Sequence, residues 1–175
     1  MQRPRFSGWT IGPTLFRFLE GILAPGMRTI ECGSGLSTWL FLNKGCVHTA
    51  LEHQKEFAFN HPCVLVSELV GIPPWYRVWP KDGPYDVVLV DGPNVEASSR
   101  LGVIKCLDFW VGDNTAIILD DTERSDESVL AGLLQRFLKR HKRIDLFPRH
   151  KLDDQKLATV FLPAEQANCI QVPTQ

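Results

Sequence analysis

The chain has 175 residues, 44 % apolar and 22 % charged, with a formal net charge of −1. That is the make-up of one globular domain with a substantial core. It excludes a broad electrostatic attraction to nucleic acid or to an anionic membrane. The five cysteines Cys32, Cys46, Cys63, Cys106 and Cys169 have neither zinc-pair nor C-x-x-C spacing. Cys32, Cys63 and Cys106 sit in apolar segments and are expected to be buried thiols, in a reducing, cytoplasmic setting. No apolar run reaches membrane-spanning length, and the opening MQRPRFSGWT has no signal-peptide core.

Leu15, Phe18, Leu19 and Ile22 recur at helical spacing and predict a helix over 11–24, ended by Pro25-Gly26. A first strand is expected over 28–32, then a helix from Ser37 to Lys44 and a second strand over 47–52. A short helix at 54–60 and a third strand at 63–67 follow. Residues 71–85 are rich in Pro, Gly and aromatics and read as a long loop with a brief strand at Tyr76–Trp79. DVVLVD at 86–91 is an unbroken apolar run, as in a buried parallel strand. A helix over 98–110 and a fifth strand over 115–120 come next. Ser125 is a candidate N-cap, with Asp126 and Glu127 in the first turn. Leu130, Leu133, Leu134, Phe137 and Leu138 line one face of that helix, and Lys139-Arg140-His141-Lys142-Arg143 reads as its basic C-terminus. Two last strands, 143–148 and 157–162, would be joined by a turn at Asp153-Asp154. This β-α alternation argues for a parallel sheet flanked by helices, with a closing antiparallel hairpin.

The run RTIECGSGLST at 28–38 carries most of the functional signal. A strand ends at Glu31-Cys32-Gly33-Ser34-Gly35, and a helix starts at once. Glycines let the backbone approach a ligand, and the free N–H groups of the first helical turn point at it. A carboxylate at Glu31 would repel a pyrophosphate and attract an ammonium or sulfonium group. The run resembles the E-x-G-x-G-x-S signature of class I S-adenosylmethionine (SAM) dependent methyltransferases, nearest to bacterial small-molecule enzymes of the O-methyltransferase type. The resemblance implies a Rossmann-like α/β fold with a seven-stranded, mostly parallel sheet. Its strand order would be 3-2-1-4-5-7-6, with strand seven antiparallel. Residues 1–27 would form an N-terminal segment and helix on the core, and 28–175 the SAM-binding part of a single domain.

It also implies a site at the C-terminal strand ends. Glu31, Gly33, Ser34, Gly35 and Ser37 would hold the methionine part of SAM. Glu52 would accept the ribose hydroxyls, with His53 on the adenosine side. Asp91 would face the sulfonium and, with Asp120, serve catalysis. Asp91, Asp120 and Asp121 resemble the metal site of cation-dependent O-methyltransferases of the catechol and caffeoyl-CoA types, so Mg²⁺ or another divalent cation is a candidate. The chain departs from that pattern at Asp121, where those enzymes have Asn, and at Asn94, where they have a lysine. Arg100 and Arg124 are candidates for an anionic acceptor. Ser7, Trp9 and Thr10 are candidates to close over the site. Ile72-Pro73-Pro74-Trp75-Tyr76 looks like the N-P-P-Y motif of amide and adenine N-methyltransferases, but it precedes the fourth strand and lacks the polar first residue. Trp75, Tyr76 and Trp79 are expected near the adenine or over the core. No histidine is clearly placed as a base: His53 follows Glu52, His150 sits between the last two strands, and each reads as structural.

The expected activity is methyl transfer from SAM to an oxygen of a small molecule or sugar. The expected partner is a small acceptor rather than nucleic acid or membrane, with room for a homodimer that completes the site. The alternatives are a SAM-binding or partner-binding protein of the same fold without catalysis, and an NAD-dependent oxidoreductase.

Overall fold

The computed structural model describes residues 10–94, 99–147 and 156–169. Helix α1 (Pro13–Ile22) carries Pro at its first position, where the missing N–H costs nothing, and buries Leu15, Phe16 and Leu19. Strand β1 (Arg28–Cys32) and α2 (Leu36–Asn43) follow, then β2 (Val47–Glu52) and β3 (Val64–Val66). A short ribbon pairs β4 (Leu69–Val70) with β5 (Trp75–Tyr76). After β6 (Val87–Val90) come a 3₁₀ segment (Ser99–Cys106), one turn of α3 (Leu107–Trp110) and β7 (Ala116–Leu119). The chain continues as α4 (Ser125–Phe137), β8 (His141–Leu146), β9 (Ala158–Pro163) and α5 (Ala164–Cys169).

Seven strands form one sheet in the order β3-β2-β1-β6-β7-β9-β8. Counting only these seven in chain order, that is the predicted 3-2-1-4-5-7-6. Pairs from β3 to β7 are parallel, and β9 runs antiparallel to both β7 and β8. Because strand side chains alternate, the sheet feeds two cores. Val87 and Leu89 of β6 and Ala116 and Ile118 of β7 join Leu15, Leu19, Leu40 and Phe41 on one face. Val88, Val90, Ile117 and Leu119 join Trp75, Trp110, Val103 and Leu130 on the other. Each fully buried Val, Leu or Ile contributes roughly 1.5–3 kcal/mol over an exposed one, so these central strands anchor the fold.

The structure corrects the sequence reading at five places. No helix forms at 54–60. The Phe59 N–H is taken by Ser34 Oγ at 3.0 Å, and the Phe57 and Ala58 amides reach back only three residues. The helix expected over 98–110 is mostly 3₁₀, with Gly102 against Trp75 and β-branched Val103 and Ile104 at its centre. The brief strand is Trp75–Tyr76 rather than Tyr76–Trp79. Ser125 is not the N-cap of α4. Arg124 is: its backbone is extended and its carbonyl accepts the first helical bond from Ser128 N–H at 2.9 Å. The basic run does not end that helix either: α4 stops at Phe137, and His141-Lys142-Arg143 open β8 against β9. Leu130 and Leu134 are buried as expected, whereas Phe137 is exposed. Asp153-Asp154 and His150 lie outside the described residues.

A Cβ at Gly102 would sit 2.5–2.7 Å from the Trp75 ring and Cβ, and Trp75 is fully buried and cannot yield. Gly102→Ala is expected to destabilise the protein by about 1–3 kcal/mol through overpacking. Urea unfolding of the two proteins measures this, and an unchanged midpoint would contradict it.

Candidate active site

Parallel sheets open a crevice where neighbouring strands connect in opposite directions. Here β1 leads towards β2 and β6 leads towards β7. Just past these two strand ends the backbones nearly touch. Gly33 has φ +93°, and a Cβ there would lie 3.6 Å from Gly92 N. A Cβ at Gly92 would meet Gly33 N at 3.1 Å and the Tyr76 hydroxyl at 3.2 Å. The arrangement is held by Gly33 N–H donating to Leu51 O at 2.7 Å and Asp91 N–H donating to Cys32 O at 3.0 Å. Above it opens a cleft of about 370 Å³. Gly33, Ser34, Gly35, Glu52, His53, Gln54 and Phe57 line one end. Asp91, Asn94, Arg100, Asp121, Arg124, Lys156 and Thr10 line the other, and Tyr76 and Gly92 complete the wall. Ser7 and Trp9 lie outside the described residues.

Glu31 and Ser37 do not line this cleft. The Glu31 carboxylate is fully buried and turned under α2. It accepts from the Thr38 hydroxyl, which in turn accepts from the Gly35 N–H at 2.8 Å. His48 Nε2 lies 3.1 Å from the same Glu31 oxygen, and His48 Nδ1 is bonded to Thr29 Oγ1 at 2.8 Å. The imidazole stacks on Phe41 with centroids 4.5 Å apart. Glu31 therefore acts as a buried brace for the glycine turn rather than as a direct ligand of an ammonium. Both contacts fall on Oε1, and Glu31 Oε2 has no hydrogen-bond partner among the described residues. Ser37 is buried within the first turn of α2.

At the glycine end, Glu52 closes β2. Its Oε1 accepts from the backbone N–H of His53 at 2.7 Å and of Gln54 at 3.0 Å. These two bonds fix the carboxylate and leave Oε2 with only a long 3.5 Å contact from Ser34 Oγ. The His53 ring lies 3.1 Å from Glu52 Oε1 without hydrogen-bond geometry, and both of its nitrogens lack a hydrogen-bond partner. A fixed carboxylate beside an unsatisfied imidazole can accept and donate to a polar ring or sugar.

At the other end, one carboxylate oxygen from each of Asp91, Asp120 and Asp121 lies within 4.8 Å of the others. Cations of the chain are already among them. Arg100, 3 % exposed, donates to Asp120 O at 2.8 Å, Asp91 O at 2.7 Å and Asp121 Oδ2 at 2.9 Å. Arg124 reaches the same Asp121 oxygen at 3.0 Å, and Lys156 Nζ lies 3.6 Å from Asp121 Oδ1. Asp121 adopts φ +57°, a backbone state disfavoured for residues with a Cβ but tolerated by Asp. Asp121 Oδ2 is taken by two guanidinium groups, whereas Asp120 Oδ2 and Asp121 Oδ1 have no hydrogen-bond partner among the described residues; what opposes a divalent ion here is the positive charge of Arg100, Arg124 and Lys156 already beside the cluster. The reading of Asp91, Asp120 and Asp121 as metal ligands is not supported. Arg100 is also poorly placed to anchor an acceptor, since both terminal nitrogens are committed to the protein. Arg124, 42 % exposed, remains open to solvent.

Burial raises the Asp91 carboxyl well above its usual range, and the Asp120 charge adds to this while Arg100 opposes it. Burial and then Asp121 push Asp120 up to about 7, although Lys156 and Arg100 pull the other way. Burial works against the Arg100 charge, but Asp91, Asp121 and Glu127 outweigh it and hold the guanidinium firmly protonated.

Sequence reasoning missed Lys156, Thr38, His48 and the cleft role of Phe57. Lys156 gives no local signal, being a single lysine before the last strand. Thr38 was visible three residues after Gly35, the spacing of a side chain that caps a turn. Tyr76 is buried, and its hydroxyl points at the Gly33–Gly92 contact without a well-formed hydrogen bond. Burial pushes that phenol far up, with the Gly33 amide offsetting part of the rise.

No family model matches the sequence, and no similar sequence is found among curated proteins. Solved structures do resemble it. An O-methyltransferase from Bacillus cereus in complex with SAH matches with TM-score 0.55 at 15 % identity, over 90 % of this chain and 84 % of that one. The C-terminal domain of precorrin-6Y C5,15-methyltransferase from Rhodobacter capsulatus matches with TM-score 0.56 at 15 % identity, over 90 % and 91 %. A candidate rRNA methylase from Clostridium thermocellum matches with TM-score 0.58 at 14 % identity, over 88 % and 97 %. The chain has the class I methyltransferase fold. At these identities the likeness is one of architecture, and the three methyltransferases differ in the acceptor their names imply.

The raised carboxyls give a pH prediction for this methyltransferase fold. Unfolded, Asp120 titrates near 3.8, while folded it titrates near 7. Between these values the folded protein holds a proton that the unfolded chain has released. Raising the pH through this window therefore favours unfolding. Thermal stability of the wild type should fall from about pH 4 to pH 7 relative to Asp120→Asn, which lacks the group. Parallel melting curves for the two proteins across that range would contradict the assignment.

Proposed function

We propose that this protein binds S-adenosylmethionine and transfers its methyl group to an oxygen of a small molecule or sugar. The observation that carries this reading is the cleft at the β1–β6 switch point, where Gly33 and Gly92 bring backbone to the ligand space between two carboxylates. Its volume lies in the range of ordinary small-molecule sites. The fold supports the reading by analogy.

The residues fit the cofactor. Glu52, with one oxygen fixed by backbone amides, would accept the ribose hydroxyls. His53 and Phe57 would border the base, and the turn Gly33-Ser34-Gly35 would face the amino-acid end. When bound, the sulfonium supplies an already activated methyl group. The chain's own work is then alignment and exclusion of water. Asp91, 22 % exposed and lining the cleft, presents a carboxylate where positive charge is favoured. When ionised, it would be placed to take the acceptor's proton. Arg124, with Lys156 beside it, would meet an anionic group on the acceptor. Cys32, Cys46 and Cys106 are buried free thiols and Cys63, expected to be buried, is only partly so; four free thiols fit a reducing cytoplasm. Among the described residues no helix is long and apolar enough to cross a membrane.

A second reading, SAM binding without transfer, is favoured by the chain's own cations around Asp121, which leave the acceptor end charge-balanced. Calorimetric titration with S-adenosylhomocysteine tests the shared part of both. Wild type should bind, and Glu52→Ala should bind at least about tenfold more weakly through loss of charge-assisted hydrogen bonds. No binding to folded wild type would overturn the reading. If binding holds, a screen of hydroxyl acceptors with labelled SAM separates transfer from binding alone.

A further inference from the structure

We propose that Arg100 is a built-in counter-cation: its guanidinium takes the place among Asp91, Asp120 and Asp121 that a divalent ion would hold. It thereby sets the Asp91 carboxylate at the cleft without metal. The role given to Asp91 rests on the function proposed above; the exchange of one cation for another does not.

Three carboxylates at one strand-end cluster need positive charge. A hard cation would satisfy them through free oxygens at about 2.0–2.6 Å. Here Asp121 Oδ2 is shared by two guanidinium groups, at 2.9 Å from Arg100 and 3.0 Å from Arg124. Asp121 Oδ1 faces Lys156 at 3.6 Å, and Asp91 Oδ1 lies 3.6 Å from Arg100. An ion placed among these oxygens would stand beside several cations at repulsive distance. Arg100 is not a surface charge that could swing aside. It is almost fully buried, and two of its hydrogen bonds go to the main-chain carbonyls Asp91 O and Asp120 O, which close β6 and β7. Those carbonyls give a fork-shaped donor a fixed seat. Glu127, 3.6 Å from Arg100 Nε, balances the far side. Asn94, where cation-dependent relatives carry a lysine, accepts from Arg124 at 3.2 Å and so holds that second guanidinium over the cluster. Arg100 acts through Asp91 and touches no ligand space of its own beyond the cleft wall. It is a positioning residue.

The test uses the whole chain, with Mg²⁺, Ca²⁺ and Mn²⁺ salts as probes against EDTA, and S-adenosylhomocysteine titrations alongside. The wild type should show the same Tm and the same ligand affinity in EDTA and in millimolar divalent salt. Arg100→Ala should melt lower. Divalent salt, but not KCl of equal ionic strength, should restore at least half of the lost Tm. Adding Asp121→Asn should abolish that restoration, and Arg100→Lys should keep the wild-type indifference to metal. Should Arg100→Ala fail to fold in EDTA, refolding with and without Ca²⁺ becomes the readout. Recovery only with Ca²⁺ supports the proposal, and recovery in neither overturns it. It is equally overturned by a stoichiometric divalent ion on the wild type, or by an Arg100→Ala protein that melts lower and ignores divalent salt. Failure of every form to bind S-adenosylhomocysteine would remove the proposed function while leaving the metal result standing.

Discussion

The near-contact of two strand ends at Gly33 and Gly92 is the constraint on which the cleft depends. Parallel β1 and β6 are brought side by side by their ladder, and each must leave the sheet where the other also turns away. A side chain at Gly92 would crowd the Gly33 amide at 3.1 Å, and Gly33 holds a φ of +93° that residues with a Cβ rarely adopt. With the two backbones this close, Leu51 and Cys32 carbonyls satisfy the exposed amides, and Asp91 and Glu52 are carried to opposite sides of the gap. The buried Thr29–His48–Glu31–Thr38 chain of hydrogen bonds reaches the Gly35 amide from below and fixes the turn from the protein side. A ligand entering the cleft meets amides and carboxylates already held in place, so little ordering is left to be done on binding.

The two ends of the cleft differ in how they handle charge. At the glycine end a single carboxylate is stabilised by backbone amides and keeps one oxygen nearly free. At the far end three carboxylates and three cations share a small space. That space is costly to empty of any one member, because removing a partner leaves a buried charge uncompensated. The first end is built to accept hydrogen bonds, whereas the second is built to stay close to neutral.

Much of the fold was legible in the sequence, because its strands are short apolar runs punctuated by Gly, Pro and acidic residues. The bounds of β1 and β2 follow from those signals, whereas the order of the sheet came from the resemblance of the glycine run to class I methyltransferases. The glycine turn, Glu52 and Asp91 were legible for the same reason: each sits where a strand must end. What escaped is non-local. Ser34 captures the Phe59 amide and unmakes a locally plausible helix. Trp75 presses on Gly102 and forces a 3₁₀ path on a helical-looking segment. Glu31 looked like a ligand because it stands next to the glycines. Its direction is decided by His48 and Thr38, one on the neighbouring strand and one on the next helix turn. The acidic cluster looked like a metal site because its counter-charges come from Arg100, Arg124 and Lys156, none of them adjacent in sequence to Asp91.

Lys156 also donates to Thr10 O at 2.8 Å, joining positions 146 residues apart. Closing so long a loop is entropically demanding and waits until intervening structure has drawn its ends together. The glycine end of the cleft needs only β1, α2, β2 and β6, which are near one another along the chain. The far end needs β9 inserted between β7 and β8 before Lys156 can arrive. The far end is thus tied through Lys156 to residues at both ends of the described chain, whereas the glycine end is closed by elements within residues 28–90.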